Sequence, residues 1–123
     1  MVVDDQAPFR RVAGTAIGAT AGFRAVGDAA SGEEALRQVD RLWPDLVLMD
    51  VYLPGMDGFE AARRLREAHP DCVVVLVSVE SLDDLRALVA SCGAVACLRK
   101  QDLRPSLLRA LWTAYGRRPP NER

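Results

Sequence analysis

Apolar runs and amphipathic stretches alternate five times along this chain, and no other feature limits its fold as much. The runs are Val2-Val3, Phe23 to Ala29, Leu46 to Met49, Cys72 to Val77 and Ala94 to Leu98. Each is followed by residues whose apolar members recur at helical spacing. The first such stretch runs from Ala7 to about Thr20, with Phe9, Val12, Ala13, Ala16 and Ile17 on one side, and is weakened by Gly14 and Gly18. Ser31-Gly-Glu-Glu34 is a capping box for a second helix, whose Ala35, Leu36, Val39 and Leu42 face one way before Pro44 ends it. Asp57-Gly-Phe-Glu60 opens a third with Phe59, Ala62 and Leu65 inward, stopped at Pro70. Ser81-Leu-Asp-Asp84 caps a fourth, with Leu82, Leu85, Leu88 and Val89, closed by Gly93. The last helix spans Leu103 to Tyr115 and carries Leu107, Leu108, Leu111 and Trp112.

Strand then helix, repeated with short connections, implies a parallel sheet with helices on both faces and right-handed crossovers. The unbroken apolar run from Cys72 to Val77 suits a strand covered on both sides. A chain of 123 residues makes one such domain and buries about two thirds of its unfolded surface. Periodicity alone leaves the strand order open.

Several function classes are excluded at this stage. The net charge of −1 and the scattered basic residues, Arg117-Arg118 apart, give no nucleic-acid footprint. No stretch approaches the roughly 20 apolar residues of a membrane span. No signal peptide is visible ahead of Asp4-Asp5. Cys72, Cys92 and Cys97 show no metal-ligand or CxxC spacing and read as reduced, packed thiols in a cytoplasmic protein. The single histidine, His69, excludes a site built on several histidines; placed before Pro70, it reads as the end of a helix.

The polar residues that end the strands are more informative. The first strand ends at Asp4-Asp5, the third at Asp50, the fourth at Ser78 and the fifth near Lys100, the one lysine among 16 basic residues. Parallel strands put all these ends on one edge, where open α/β sheets bind ligands. Three carboxylates together repel unless a cation sits among them, and oxygen-only ligands favour a hard one, magnesium above all. A carboxylate, a magnesium ion, a lysine and a hydroxyl around one point suit a phosphoryl group. Taken singly, each residue has a structural reading: a turn acid, a helix cap, a serine satisfying a backbone group.

At these residues the chain resembles the CheY-like receiver domains of two-component response regulators. The matching pieces are VVDD (2–5), LVLMDVYLPGMDGFEAARRLR (46–66), VLVSVE (75–80) and CLRK (97–100). FRAVGDAASGEEAL (23–36) is most similar to receivers of the NarL/LuxR type, whose full proteins carry a C-terminal helix-turn-helix DNA-binding domain. The resemblance implies a flavodoxin-like (βα)5 three-layer sandwich with a five-stranded parallel sheet of order 2-1-3-4-5, over residues 1–116. Residues 117–123 are then a polar Pro/Arg tail or the start of a linker. By position, Asp50 would be the phosphoacceptor, Asp5 would bind magnesium directly, and Asp4 would act mainly through a metal-bound water. Tyr52 would offer its backbone carbonyl to the metal, Lys100 would pair with the phosphoryl oxygens, and Ser78 would hydrogen-bond the phosphoryl group after transfer. Pro54 and Gly55 shape the loop.

Three departures from the family pattern stand out. The first strand has only Met1, Val2 and Val3 before the acids, which reads as a trimmed start or a weak central strand. Cys97 occupies the position of the aromatic whose rotamer usually accompanies the switch. Tyr52 is bulky enough to screen a phosphoryl group on Asp50 from water. The expected function is a signalling switch, not an enzyme with its own turnover: a histidine kinase donates, Asp50 accepts, and the altered surface selects a partner or output domain, here in transcription regulation. Dimerisation through the face made by the fourth helix, fifth strand and fifth helix is an option the family offers. The alternative is a phosphorylation-independent interaction module, supported by Cys97 and opposed by the intact acid set.

Overall fold

The structure, a computed structural model, describes residues 1–81 and 83–116, with Asp84 described by its backbone alone. The sheet comprises β1 (Val2–Val3), β2 (Asp28–Ala29), β3 (Leu46–Asp50), β4 (Val73–Ser78) and β5 (Ala96–Arg99). The helices are α1 (Ala7–Gly18), α2 (Gly32–Leu42), α3 (Gly58–Ala68), α4 (Arg86–Ser91) and α5 (Pro105–Tyr115). The strands are parallel and lie in the order β2-β1-β3-β4-β5. This is the flavodoxin-like arrangement the family pattern implied.

Alternating side chains of the two central strands build two cores. Val47 and Met49 of β3, with Val74 and Leu76 of β4, join Ala35, Val39, Ala61 and Leu65 beneath α2 and α3. Leu46 and Leu48, with Val73, Val75 and Val77, join Ala13, Ile17, Leu108 and Trp112 beneath α1 and α5. All five residues of β3 and all six of β4 are buried. Each fully buried Leu or Val there contributes about 1.5–3 kcal/mol, enough to keep a near-continuous apolar strand in the middle layer.

The caps at Ser31 and Asp57 form as the sequence indicated, whereas α4 starts at Leu85 with no side-chain cap. Ser31 Oγ accepts from Glu34 N at 3.1 Å, while Glu34 Oε2 accepts from Ala30 N, one residue earlier than the standard box. Asp57 Oδ1 accepts from Glu60 N at 2.9 Å, so Asp57 is a helix cap. Gly93 ends α4 at φ +86°, a conformation open to glycine.

Three expectations need correction. The second strand forms only at Asp28–Ala29, not from Phe23, because β1 offers just Val2 and Val3 as partners. Val12 is 63% exposed and lies off the buried face of α1, which is carried by Ala13 and Ile17. The fourth helix is a 3-10 turn over Asp83–Leu85 followed by only six α-helical residues, none of them buried; among the described residues of its expected apolar stripe, Val89 packs on the core. Leu82, the side chain of Asp84, and residues 117–123 with Arg117-Arg118 lie outside the described residues. Among the described residues no helix is long and apolar enough to cross a membrane.

Candidate functional site

Strand register brings the acids together. Val3 of β1 pairs with Met49 of β3, so the next residues, Asp4 and Asp50, leave the sheet side by side at its carboxyl edge. This is beside β1, whose neighbours β2 and β3 extend the sheet in opposite directions, the position where open α/β sheets hold ligands. Asp4, Asp5 and Asp50 each place a carboxylate oxygen within 4.8 Å of the others. Asp4 is fully buried, Asp50 nearly so, and Asp5 is exposed.

Local hydrogen bonds set each carboxylate. Asp4 Oδ1 accepts from Gln6 N at 2.8 Å, an Asx turn that starts the path into α1. Arg10, on the first turn of α1, donates to the Asp4 carbonyl at 2.6 Å and pairs with Asp28 at 3.3 Å, tying that loop to β2. Asp50 Oδ1 accepts from Tyr52 N at 3.1 Å, and Asp50 Oδ2 accepts from Lys100 Nζ at 3.3 Å. Lys100 begins the turn after β5, and its ammonium reaches back to Asp4 Oδ2 at 2.5 Å. The third side of that ammonium faces the ring of Phe9, with the centroid 4.5 Å away.

The electrostatics leave a cation deficit. Three carboxylates against one ammonium carry a formal charge of −2. Burial raises the Asp50 carboxyl to about 6; the Tyr52 amide opposes the rise, Asp4 adds to it, and Lys100 reduces it. Burial alone would lower the Lys100 ammonium, but Asp4 and Asp50 outweigh that and raise it. Despite its short contact with Lys100, Asp4 Oδ2 has no hydrogen-bond partner of ordinary geometry. A buried acceptor of this kind beside two more carboxylates, with no nitrogen or sulfur ligand in the cluster, fits a hard divalent cation.

Two further sequence-derived site residues take up backbone contacts. Ser78, fully buried at the end of β4, accepts from Glu80 N at 3.1 Å. Tyr52 contributes its amide to Asp50, and the residue is 55% exposed. The loop from β3 to α3 holds Gly55 at φ +73°, beside Glu33 of α2, whose Oε2 accepts from Met56 N.

Sequence reasoning missed Gly58, Phe9 and Arg10 as parts of this site. A Cβ on Gly58 would collide with the Asp50 carbonyl oxygen and Val51 Cα, so α3 starts hard against the strand end that carries the acceptor. The only signal was a glycine directly after a capping aspartate. Phe9 looked like one more core residue, and Arg10 one more of many arginines.

The response regulator receiver domain model matches residues 1–111. The chain belongs to this family. Among curated relatives of the receiver, one is a protein-glutamate methylesterase/protein-glutamine glutaminase from Syntrophus aciditrophicus, 42% identical over 107 residues, covering 84% of this chain and 30% of the relative. Another is the response regulator GacA of Pseudomonas viridiflava, 40% identical over 100 residues, covering 81% of this chain and 47% of the relative. The receiver thus spans less than half of either protein. Among solved structures, the signal receiver domain of the response regulator NarL from Mycobacterium tuberculosis superposes with a TM-score of 0.84 at 28% identity, covering 95% of this chain and 94% of that one. Two-component signalling and the NarL-type likeness therefore stand.

Proposed function

We propose that this receiver is a phosphoacceptor switch in which Asp50 takes a phosphoryl group from a histidine kinase. The observation that carries this reading is the placement of Asp50: a nearly buried carboxylate at the end of a rigid central strand, flanked by an acidic pair and the lone lysine.

An Asp50 carboxylate oxygen attacks phosphorus, a P–O bond forms and the P–N bond to the donor imidazole breaks, its electron pair staying on nitrogen; the products are an acyl phosphate and an imidazole made neutral by one proton from solvent. The Tyr52 amide and Lys100 keep the carboxylate oriented, and Lys100 then pairs with the phosphoryl oxygens. Ser78 turns its hydroxyl to the new group. Asp5 would hold magnesium directly, Asp4 through water, with Asp50 and the Tyr52 carbonyl completing the protein ligands; bound, the ion neutralises phosphoryl oxygens.

The signal leaves through the face of α4, β5 and α5, where Arg86, Val89, Val95, Cys97, Arg99 and Leu107 line an open groove. That face serves a partner, an output domain or a second copy. Residues 1–116 form the receiver and 117–123 a tail or linker start. The likeness to NarL-type receivers favours a helix-turn-helix output in transcription control, and the methylesterase relative favours an enzyme whose receiver is only the regulatory part. In either case the receiver itself is not the enzyme, it works in the cytoplasm, and it binds no nucleic acid directly. The intact acid cluster and the paired lysine count against a phosphorylation-independent module.

The test is intact-mass measurement after incubation with magnesium and acetyl phosphate. A gain of one phosphoryl group that disappears in Asp50→Asn is expected. No gain with either this donor or a histidine kinase would overturn the reading.

A further inference from the structure

The Lys100 ammonium has three sides, and only two face carboxylates: Asp4 Oδ2 at 2.5 Å and Asp50 Oδ2 at 3.3 Å. The third faces Phe9. Lysine carries its charge on a flexible four-carbon stem with several rotatable bonds, and the backbone here is a single 3-10 turn, Lys100–Asp102. Neither fixes where the ammonium points. An aromatic face on the third side does two things together that a third carboxylate would not. It attracts the cation through its quadrupole, and it presents an apolar wall that keeps water off. Lys100 is accordingly only 14% exposed although it stands at the mouth of the crevice.

Phe9 is itself firmly placed. It occupies the first turn of α1, with Pro8 at the helix start and its amide donating to the Gln6 carbonyl. Its ring packs against the α1/α5 core. The adjacent Arg10 donates to the Asp4 carbonyl from the same turn, so ring and acid are tied to one helix start.

We propose that Phe9 is a positioning residue for phosphoryl transfer at Asp50, its ring face holding the Lys100 ammonium between Asp4 and Asp50. This deepens the phosphoacceptor reading and rests on it. A ring face is well suited to the task because a cation–π contact has no hydrogen-bond direction. The ammonium can turn from the carboxylates to arriving phosphoryl oxygens without leaving its support.

The test compares wild type with Phe9→Leu, which keeps apolar bulk and removes the π face, and Phe9→Tyr, which keeps the face. Two quantities are read: the rate of mass gain with magnesium and acetyl phosphate, and the water-exchange rate of the Lys100 NH3+ protons by 15N magnetic resonance. Phe9→Leu is expected to slow phosphorylation by about 2- to 30-fold, the range of one cation–π contact, and to speed NH3+ exchange. Phe9→Tyr is expected to restore both. Thermal melts confirm that each variant is folded. Wild-type rates and exchange in Phe9→Leu would overturn the role of Phe9 while leaving Asp50 as acceptor, and so would a Phe9→Tyr variant that behaves like Phe9→Leu. A wild type that gains no mass would overturn the phosphoacceptor reading itself.

Discussion

Lys100 and Asp4, 96 residues apart in sequence, meet at 2.5 Å between Nζ and Oδ2. The contact joins the turn after the edge strand β5 to the end of the interior strand β1. It makes an internal cation the neighbour of two acids while the cluster keeps an excess of negative charge.

The burial of Asp50, with Asp4 beside it, predicts a pH effect on the metal-free protein. The folded Asp50 carboxyl keeps its proton to about pH 6, against 3.8 for the free group. Between these values the folded state binds more protons than the unfolded one, so stability falls as pH rises through the window and the penalty is complete above it. Asp50→Asn removes the penalty and is expected to raise stability at pH 7 by about 1–3 kcal/mol. Urea denaturation at pH 4 and pH 7 checks this. Magnesium is expected to stabilise wild type at pH 7 and to have much less effect on the variant.

Gly58→Ala places a methyl group against the Asp50 carbonyl, where backbone, not a flexible side chain, must yield. A loss of about 1–3 kcal/mol is expected, at the upper end because the clash is with backbone. Phosphorylation by acetyl phosphate should slow more than in a surface variant of equal stability.

Tyr52 stands two residues past Asp50 with its ring largely in solvent and its amide on the carboxylate. Removing the ring opens the acyl phosphate to water while leaving the amide. Tyr52→Ala is therefore expected to shorten the lifetime of the phosphorylated protein, followed as loss of the added mass over time. An unchanged lifetime would refute the screening role.

Cys97 is partly buried on β5 and packs on the α2/α3 core near Cys92; burial pushes its thiol up to about 11. A side chain of this size has no ring to swing, so activation is expected to move β5 by backbone shift. With a beryllofluoride phosphate mimic, amide resonance changes should extend from the crevice through Ala96–Arg99 into α5. Changes confined to Asp4, Asp5, Asp50 and their neighbours would rule this out.

Apolar periodicity and capping residues determined the number, order and types of the elements by themselves. Those signals are local: a buried face repeats every 3.6 residues in a helix, and Ser31 and Asp57 satisfy amides only three residues away. The strand-end acids, Ser78 and the single lysine were legible for the same reason, since each ends an apolar run. Tertiary structure decided the rest. Strand order and register set Asp4 beside Asp50, and β2 shrank to two residues because pairing needs a partner and β1 supplies only two. The roles of Phe9, Arg10 and Gly58 arise from contacts between elements far apart in the chain, and no local pattern encodes which surfaces will meet.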